Sequence, residues 1–234
     1  MNGLSERRLG ISFKTTISSP GSRMQHRKVR HIVRELDSWQ GVADFVATPS
    51  IIDSYPRHVV RGLKVGIPTR STARVACALD SEHEKDRSDI VAATDLGESA
   101  VRRCLNNLRL AGIVEEVSKS SFVISPPFTE FIPDPGIELW AFEVKIEDWV
   151  QAFYQAMRYQ SFAHRVWIVI PEEVVHRAAR HAKRLRRFRV GLIAVDSNQA
   201  RIRTLVQAPE HTPSSAAHYL FAVSTFLRKV HGAP

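Results

Sequence analysis

The stretch ELWAFEVK, residues 138–145, ends in a carboxylate and an ammonium two residues apart. In a strand, residues i and i+2 project from one face, so Glu143 and Lys145 share a side with Ala141, Leu139 and Ile137. The pair suits metal-assisted hydrolysis of a phosphodiester. The carboxylate would hold a hard divalent cation through oxygen, and the lysine would orient or help deprotonate the attacking water. Asp148 then supplies an N-cap, and the pattern predicts a helix over 149–163. Gln151, Gln155 and Tyr159 fall on one stripe of that helix, where an amide and a phenol could meet the metal and a nucleic-acid strand. The simpler alternative is an ion pair at a strand end, which contributes little to stability.

A second chemical feature is positive charge. Residues 177–189 hold Arg177, Arg180, Lys183, Arg184, Arg186, Arg187 and Arg189 with no acid among them. The run follows Pro171, Glu172 and Glu173, which favour a helix start. Arg184 and Arg187 are candidates for contact with a phosphate backbone, with a solvated helix face as the alternative. His176, His181, His211 and His218 form no metal-ligand spacing.

The elements upstream carry another pattern. Ala73, Val75, Ala76 and Leu79 give residues 70–79 a packing face. From 87 to 117, Ile90, Val91 and Leu96 group around a turn at Gly97. Val101, Leu105 and Leu108 then make the buried stripe of the next helix, which Gly112 ends. The alternating IVEEVSKSSFVIS predicts two short strands. This arrangement resembles the winged helix-turn-helix family over about 40 residues. The resemblance implies double-stranded DNA as partner, read by Ser99, Arg102, Arg103 and Asn106, with Lys119 in the wing near the backbone. A winged helix used for protein contact is the competing expectation.

Glu143-Val-Lys145 followed by Gln155-Ala-Met-Arg-Tyr159 resembles the restriction-endonuclease-like PD-(D/E)xK superfamily, in its Gln-x-x-x-Tyr variant typical of RecB-type nucleases. The resemblance spans about residues 137–195 and implies a mixed sheet flanked by helices, with Mg²⁺ as cofactor. It also implies a further acid on the strand preceding Glu-x-Lys. Asp134 sits between prolines, and the odd spacing turns Glu138 away from Glu143, so Glu130 becomes the expected second metal carboxylate. With so weak a second ligand, a non-catalytic descendant that holds DNA or a partner stands as the alternative function.

The bulk numbers frame these sites. A chain of 234 residues fits one large domain or two small ones. A net charge of +9 and a pI near 10 point to a polyanionic partner. No apolar run approaches the ~20 residues of a membrane span, so a cytoplasmic protein is expected. Cys77 and Cys104 lie among apolar residues and read as buried small hydrophobes in a reducing compartment. Arg7, Arg8, Lys14 and Arg23 against Glu6 predict a disordered basic tail over 1–24. The prolines of SPPFTEFIPDPG mark a boundary. The expected layout is a helical winged-helix module at 25–125, then an α/β nuclease-like module at 126–234 closed by a helix docked on its sheet. The fold class is mixed α/β, and the expected function is DNA binding with Mg²⁺-dependent phosphodiester hydrolysis or, without catalysis, transcriptional regulation. A second copy of the chain is a further candidate partner.

Overall fold

The computed structural model describes residues 5–19, 22, 24–79, 82–196 and 198–232. In chain order the elements begin with α1 (Glu6–Ile17), β1 (His31–Asp37), β2 (Val42–Thr48), α2 (Arg57–Gly66) and α3 (Arg70–Ala78). They continue with β3 (Lys85–Asp86), α4 (Arg87–Thr94), α5 (Glu98–Leu110), β4 (Val114–Glu116) and β5 (Ser121–Ile124). Then come β6 (Trp140–Val144), α6 (Trp149–Tyr159), β7 (Arg165–Pro171), α7 (His176–Ala179) and α8 (Ala182–Arg187). β8 (Val190–Asp196), β9 (Arg201–Val206) and α9 (Ala216–His231) complete the chain. The α/β class is as expected, but the modules are not consecutive. One compact unit takes the residues up to Ser50 and Glu138–Ser214; the other takes Ile51–Ile137 and the residues from Ser215 onward. Most of the second unit is thus inserted between β2 and β6, with its last helix supplied from the end of the sequence, and the expected boundaries after residues 24 and 125 do not hold.

In the first unit the described residues form a six-stranded sheet in the order β1-β2-β6-β7-β8-β9. β1 with β2 and β2 with β6 pair antiparallel, β6, β7 and β8 are parallel, and β9 returns antiparallel on β8. Parallel neighbours need crossovers, which α6 supplies between β6 and β7, and α7 with α8 between β7 and β8. β6 is buried throughout, and β7 and β8 nearly so, as strands covered on both faces must be.

Residues 1–24 were expected to be a disordered tail; instead they carry α1. Ser5 caps it by accepting a hydrogen bond from the Arg8 amide at 3.3 Å, and Glu6 complements the helix dipole in the first turn. Leu9, Phe13 and Ile17, four residues apart, make the buried stripe. They pack in one cluster with Phe45, Trp140, Phe142, Trp167 and Ile193. The Phe13 ring lies 5.0 Å from Phe142, which stacks on Trp167 at 5.0 Å and 10°. Gly191 makes room for that indole, because a Cβ there would stand 2.1 Å from Trp167 Cδ1. Arg23 lies outside the described residues.

The second unit orders its described residues as α2, α3, β3, α4, α5 and a β4–β5 hairpin, with β3 completing a three-stranded sheet in the order β3-β5-β4. α4 ends in a left-handed residue, Asp95 at φ 53°, so the turn geometry falls on Asp95 and Gly97 serves as the N-cap of α5. Gly112, at φ 74°, ends α5 as expected. The Ile113 amide donates to Leu108 O at 2.9 Å and the Gly112 amide to Arg109 O at 3.0 Å, satisfying the last carbonyls. The closing helix α9 packs on α2 and α3 within this unit, which corrects its expected place on the large sheet. Arg228 and Ser224 of α9 donate to the Ile67 carbonyl at 3.0 and 2.9 Å. Cys104 is buried, and burial pushes the Cys77 thiol up to about 12, so neither is poised as a nucleophile.

Candidate functional site

Glu143 is the next-to-last residue of β6, and its side chain is 2 % exposed. A core carboxylate this deep must be hydrogen-bonded or neutral. Lys145, just beyond the strand, places Nζ 3.4 Å from Glu143 Oε1. From α6 the Tyr159 hydroxyl reaches Glu143 Oε2 at 2.7 Å and the Val42 carbonyl at 2.9 Å. The phenol has one proton, so it donates to Glu143 when that group is ionised and to Val42 when Glu143 is protonated and donates in turn. The expected Glu-Lys-Tyr constellation is therefore assembled within one unit.

The structure adds an acid that local reading did not find. The β2–β6 register pairs Phe45 with Phe142, and one step on sets Asp44 opposite Glu143 on the same face. Asp44 Oδ2 accepts the Val144 amide at 2.8 Å, fixing its carboxylate at this sheet end. Glu6, at the start of α1, lies 3.7 Å from Lys145 Nζ. Glu130, the expected second carboxylate, is exposed in the second unit, whereas the acids gathered with Glu143 are Asp44 and, through Lys145, Glu6. Glu138 is likewise occupied elsewhere. It pairs with Arg27 and with Arg165 at 3.2 Å and accepts the Trp140 indole N–H at 2.6 Å.

Electrostatics mark the group. Burial, then the charge of Asp44, pushes Glu143 up to about 7. Burial also raises Asp44, against the hydrogen bond from Val144 and the charge of Lys145. Burial works against the Lys145 ammonium, but Glu143, Glu6 and Asp44 outweigh it and hold its proton more tightly than usual. Burial and the nearby Glu143 carboxylate raise Tyr159 far above the phenol range.

An open cavity of about 450 Å³ adjoins this cluster. Its lining includes Glu6, Asp44 and Val144 together with Arg7 and Arg34, two cations facing the same space. Glu35, also on this lining, adopts φ 51° inside β1, a left-handed conformation that a strand residue holds only at a cost.

The helix stripe is only partly used here. Tyr159 reaches the site, while Gln151 and Gln155 line a separate open groove with Tyr154, Met157 and Arg158. α6 ends at Tyr159, short of the predicted helix. The predicted long helix after Pro171 is two short ones, α7 and α8. Arg184 and Arg187 are exposed on α8, and Arg184 donates to the Tyr154 hydroxyl at 3.2 Å.

In the second unit Ser99, Arg102, Arg103 and Asn106 are exposed together on α5, and Lys119 lies in the β4–β5 hairpin loop. Arg102 pairs with Glu98 at 3.2 Å, an exposed contact that phosphate can replace at little cost.

Among the described residues no group of three or more His, Cys, Asp or Glu is arranged to hold a metal ion. Two carboxylates, Asp44 and Glu143, do converge. Mg²⁺ ordinarily takes one or two carboxylates and completes its shell with water and phosphate oxygens, so this donor set fits it. Burial first, and then the charge of Asp44, raise Glu143, and a bound cation would offset both.

No family model matches the chain, and neither a curated protein nor a solved structure matches it. Among the described residues no helix is long and apolar enough to cross a membrane.

Proposed function

We propose that this protein is a DNA-binding nuclease that hydrolyses phosphodiester bonds at the Asp44–Glu143–Lys145 cluster. The observation that carries the reading is the convergence of a buried carboxylate, a second carboxylate across the strand pair, and a lysine 3.4 Å away. Bound Mg²⁺ would supply Lewis-acid stabilisation to a phosphoryl oxygen. Asp44 and Glu143 would hold it. Lys145, kept protonated by its acidic neighbours, orients the attacking water or clamps a phosphate oxygen. Tyr159 fixes the rotamer of Glu143 through its hydrogen bond. Arg7 and Arg34 offer charge for the flanking phosphates along the cavity. On this reading Asp44 takes the place of the first acid of a PD-(D/E)xK site.

In the second unit, the order helix, strand, two helices, hairpin and the exposed basic face of α5 support a winged helix that grips duplex DNA. Replacing Arg102 and Arg103 together by Ala should weaken duplex binding and lower the slope of log K against log salt by roughly 2. Binding isotherms at several salt concentrations check this; an unchanged slope would place the phosphate contacts elsewhere.

The decisive experiment incubates supercoiled and linear DNA with Mg²⁺ or Mn²⁺ and the wild type, Glu143→Ala or Lys145→Ala. Metal-dependent cutting lost in both variants is the expected result. A specific observation favours a non-catalytic reading as well: both Glu143 oxygens already have protein partners, Lys145 and Tyr159. Intact DNA with every metal, alongside unimpaired binding, would establish that regulator reading instead.

A further inference from the structure

The solvent side of α6 together with α8 carries a feature that hydrolysis at Glu143 does not use. All seven cations of residues 177–189 are exposed, and among the described residues none takes part in an ion pair. Aromatic rings stand among them. Tyr154 is 54% exposed and Phe188 37%. Trp149, in the first turn of α6, stacks on His181 at 4.6 Å and 24°. Arg184 ties the helices together: its guanidinium lies 4.7 Å from the Phe153 ring centroid and 5.8 Å from that of Tyr154, whose hydroxyl it also binds. Phe188 meets Phe153 edge-on at 5.6 Å.

Single exposed aromatics are ordinary on a protein surface. Here two exposed rings, Tyr154 on α6 and Phe188 at the end of α8, and the half-buried Trp149 lie beside arginines that make no ion pair among the described residues. α6 begins four residues after Lys145. Aromatic faces and guanidinium planes are of little use against a duplex, whose bases are already stacked. They suit a polyanion whose bases are free to stack on them. The arginine–tyrosine contacts also anchor the ring, which stays half exposed, so it is held in place before any ligand arrives.

We propose that the Trp149–Tyr154–Phe188 face, with Arg184 and Arg187, is a binding platform for single-stranded nucleic acid. Bases stack on Tyr154 and on the outer face of the Trp149–His181 pair, and the α8 arginines neutralise the phosphates. The proposal deepens the nucleic-acid reading above and takes from it only the polymer class. It concerns recognition and does not require that the Glu143 cluster cut.

The test titrates the full chain with a short fluorescent oligothymidylate in EDTA, so that cleavage plays no part, with a mixed-sequence duplex in parallel. Wild type should bind the oligothymidylate, and Tyr154→Ala should weaken that binding about tenfold, within the range for loss of one stacking ring. Tyr154→Phe should retain most of it, and the duplex should lose much less with either variant. Quenching of indole fluorescence on binding should diminish in Trp149→Phe. Far-UV circular dichroism identifies any variant that fails to fold, and Tyr154→Phe preserves the test in that event. No binding of oligothymidylate by the wild type, or equal affinities for wild type, Tyr154→Ala and Tyr154→Phe, would overturn the proposal. Failure of the nuclease reading shows separately, as intact DNA in the Mg²⁺ assay.

Discussion

Asp44→Asn is expected to lower Mg²⁺-dependent DNA cleavage about a thousandfold, the scale of losing several kcal/mol of charge stabilisation. Glu130→Ala is expected to leave the rate unchanged. The contrast follows from placement. Asp44 lies across the strand pair from Glu143 and is anchored by the Val144 amide at 2.8 Å, whereas Glu130 is an exposed residue of the other unit. Asparagine keeps an oxygen to accept the Val144 amide, so the local fold should survive. It also removes the charge that helps raise Glu143, so thermal stability in EDTA should stay the same or increase. Lost activity with retained or increased stability is the pattern of a residue kept for function rather than packing. Rates measured under enzyme excess, beside melting curves, check both halves. Cutting by Asp44→Asn at the wild-type rate would remove Asp44 from the site.

Much of the site could be read locally. Glu143 and Lys145 share a strand face by simple alternation, and Tyr159 comes back over them because a crossover helix starting at Trp149 must return along the sheet. Asp44 could not be read that way. It hydrogen-bonds a residue 100 positions away, and Ile51–Ile137 of the second unit intervene. Strand pairing is non-local, and periodicity shows that a segment is a strand without naming its neighbour. VADFVAT does carry a signal, an acid isolated in an apolar alternation, but a search confined to residues just before Glu143 passes over it.

The N-terminal helix was legible and outweighed by composition. Serines, threonines and arginines suggested disorder, yet Leu9, Phe13 and Ile17 at intervals of four already define a buried face. α9 shows the opposite limit. Eight consecutive or near-consecutive residues between Tyr219 and Leu227 are buried, so its apolar surface wraps most of the helix and specifies no particular partner. The elements from α4 to β5 were the easiest to foresee, because a turn, a glycine-ended helix and a hairpin follow one another in sequence. Contacts of short separation leave a legible order; insertions and sheet neighbours do not.

The metal-free protein is expected to lose stability as pH rises, through Glu143. Its pKa moves from 4.5 to about 7 on folding, so between those values the native state binds a proton that the unfolded chain has released. The stabilising contribution is fully present below about pH 4.5 and is lost as pH rises through about 7. Its size is about 3 kcal/mol at full ionisation, the opposing help of Tyr159 and Lys145 being already contained in the shift. Asp44, also raised by burial, adds a slope of the same sign. Glu138 works in the other direction. Burial alone would raise it, but the Trp140 indole, Arg27 and Arg165 hold it below the usual range, so its contribution fails only as pH falls further. Glu143→Gln should therefore melt higher than wild type at about pH 8 and nearly alike at about pH 5 in EDTA. Mg²⁺ needs the ionised carboxylate, so its stabilising effect on the wild type should grow from about pH 6 to about pH 8 and be much reduced in Glu143→Gln. Parallel melting curves of the two proteins across pH, with and without Mg²⁺, separate the burial of the acid from its use as a ligand. A flat pH response in the wild type would deny the first, and a Mg²⁺ response equal in both proteins would deny the second.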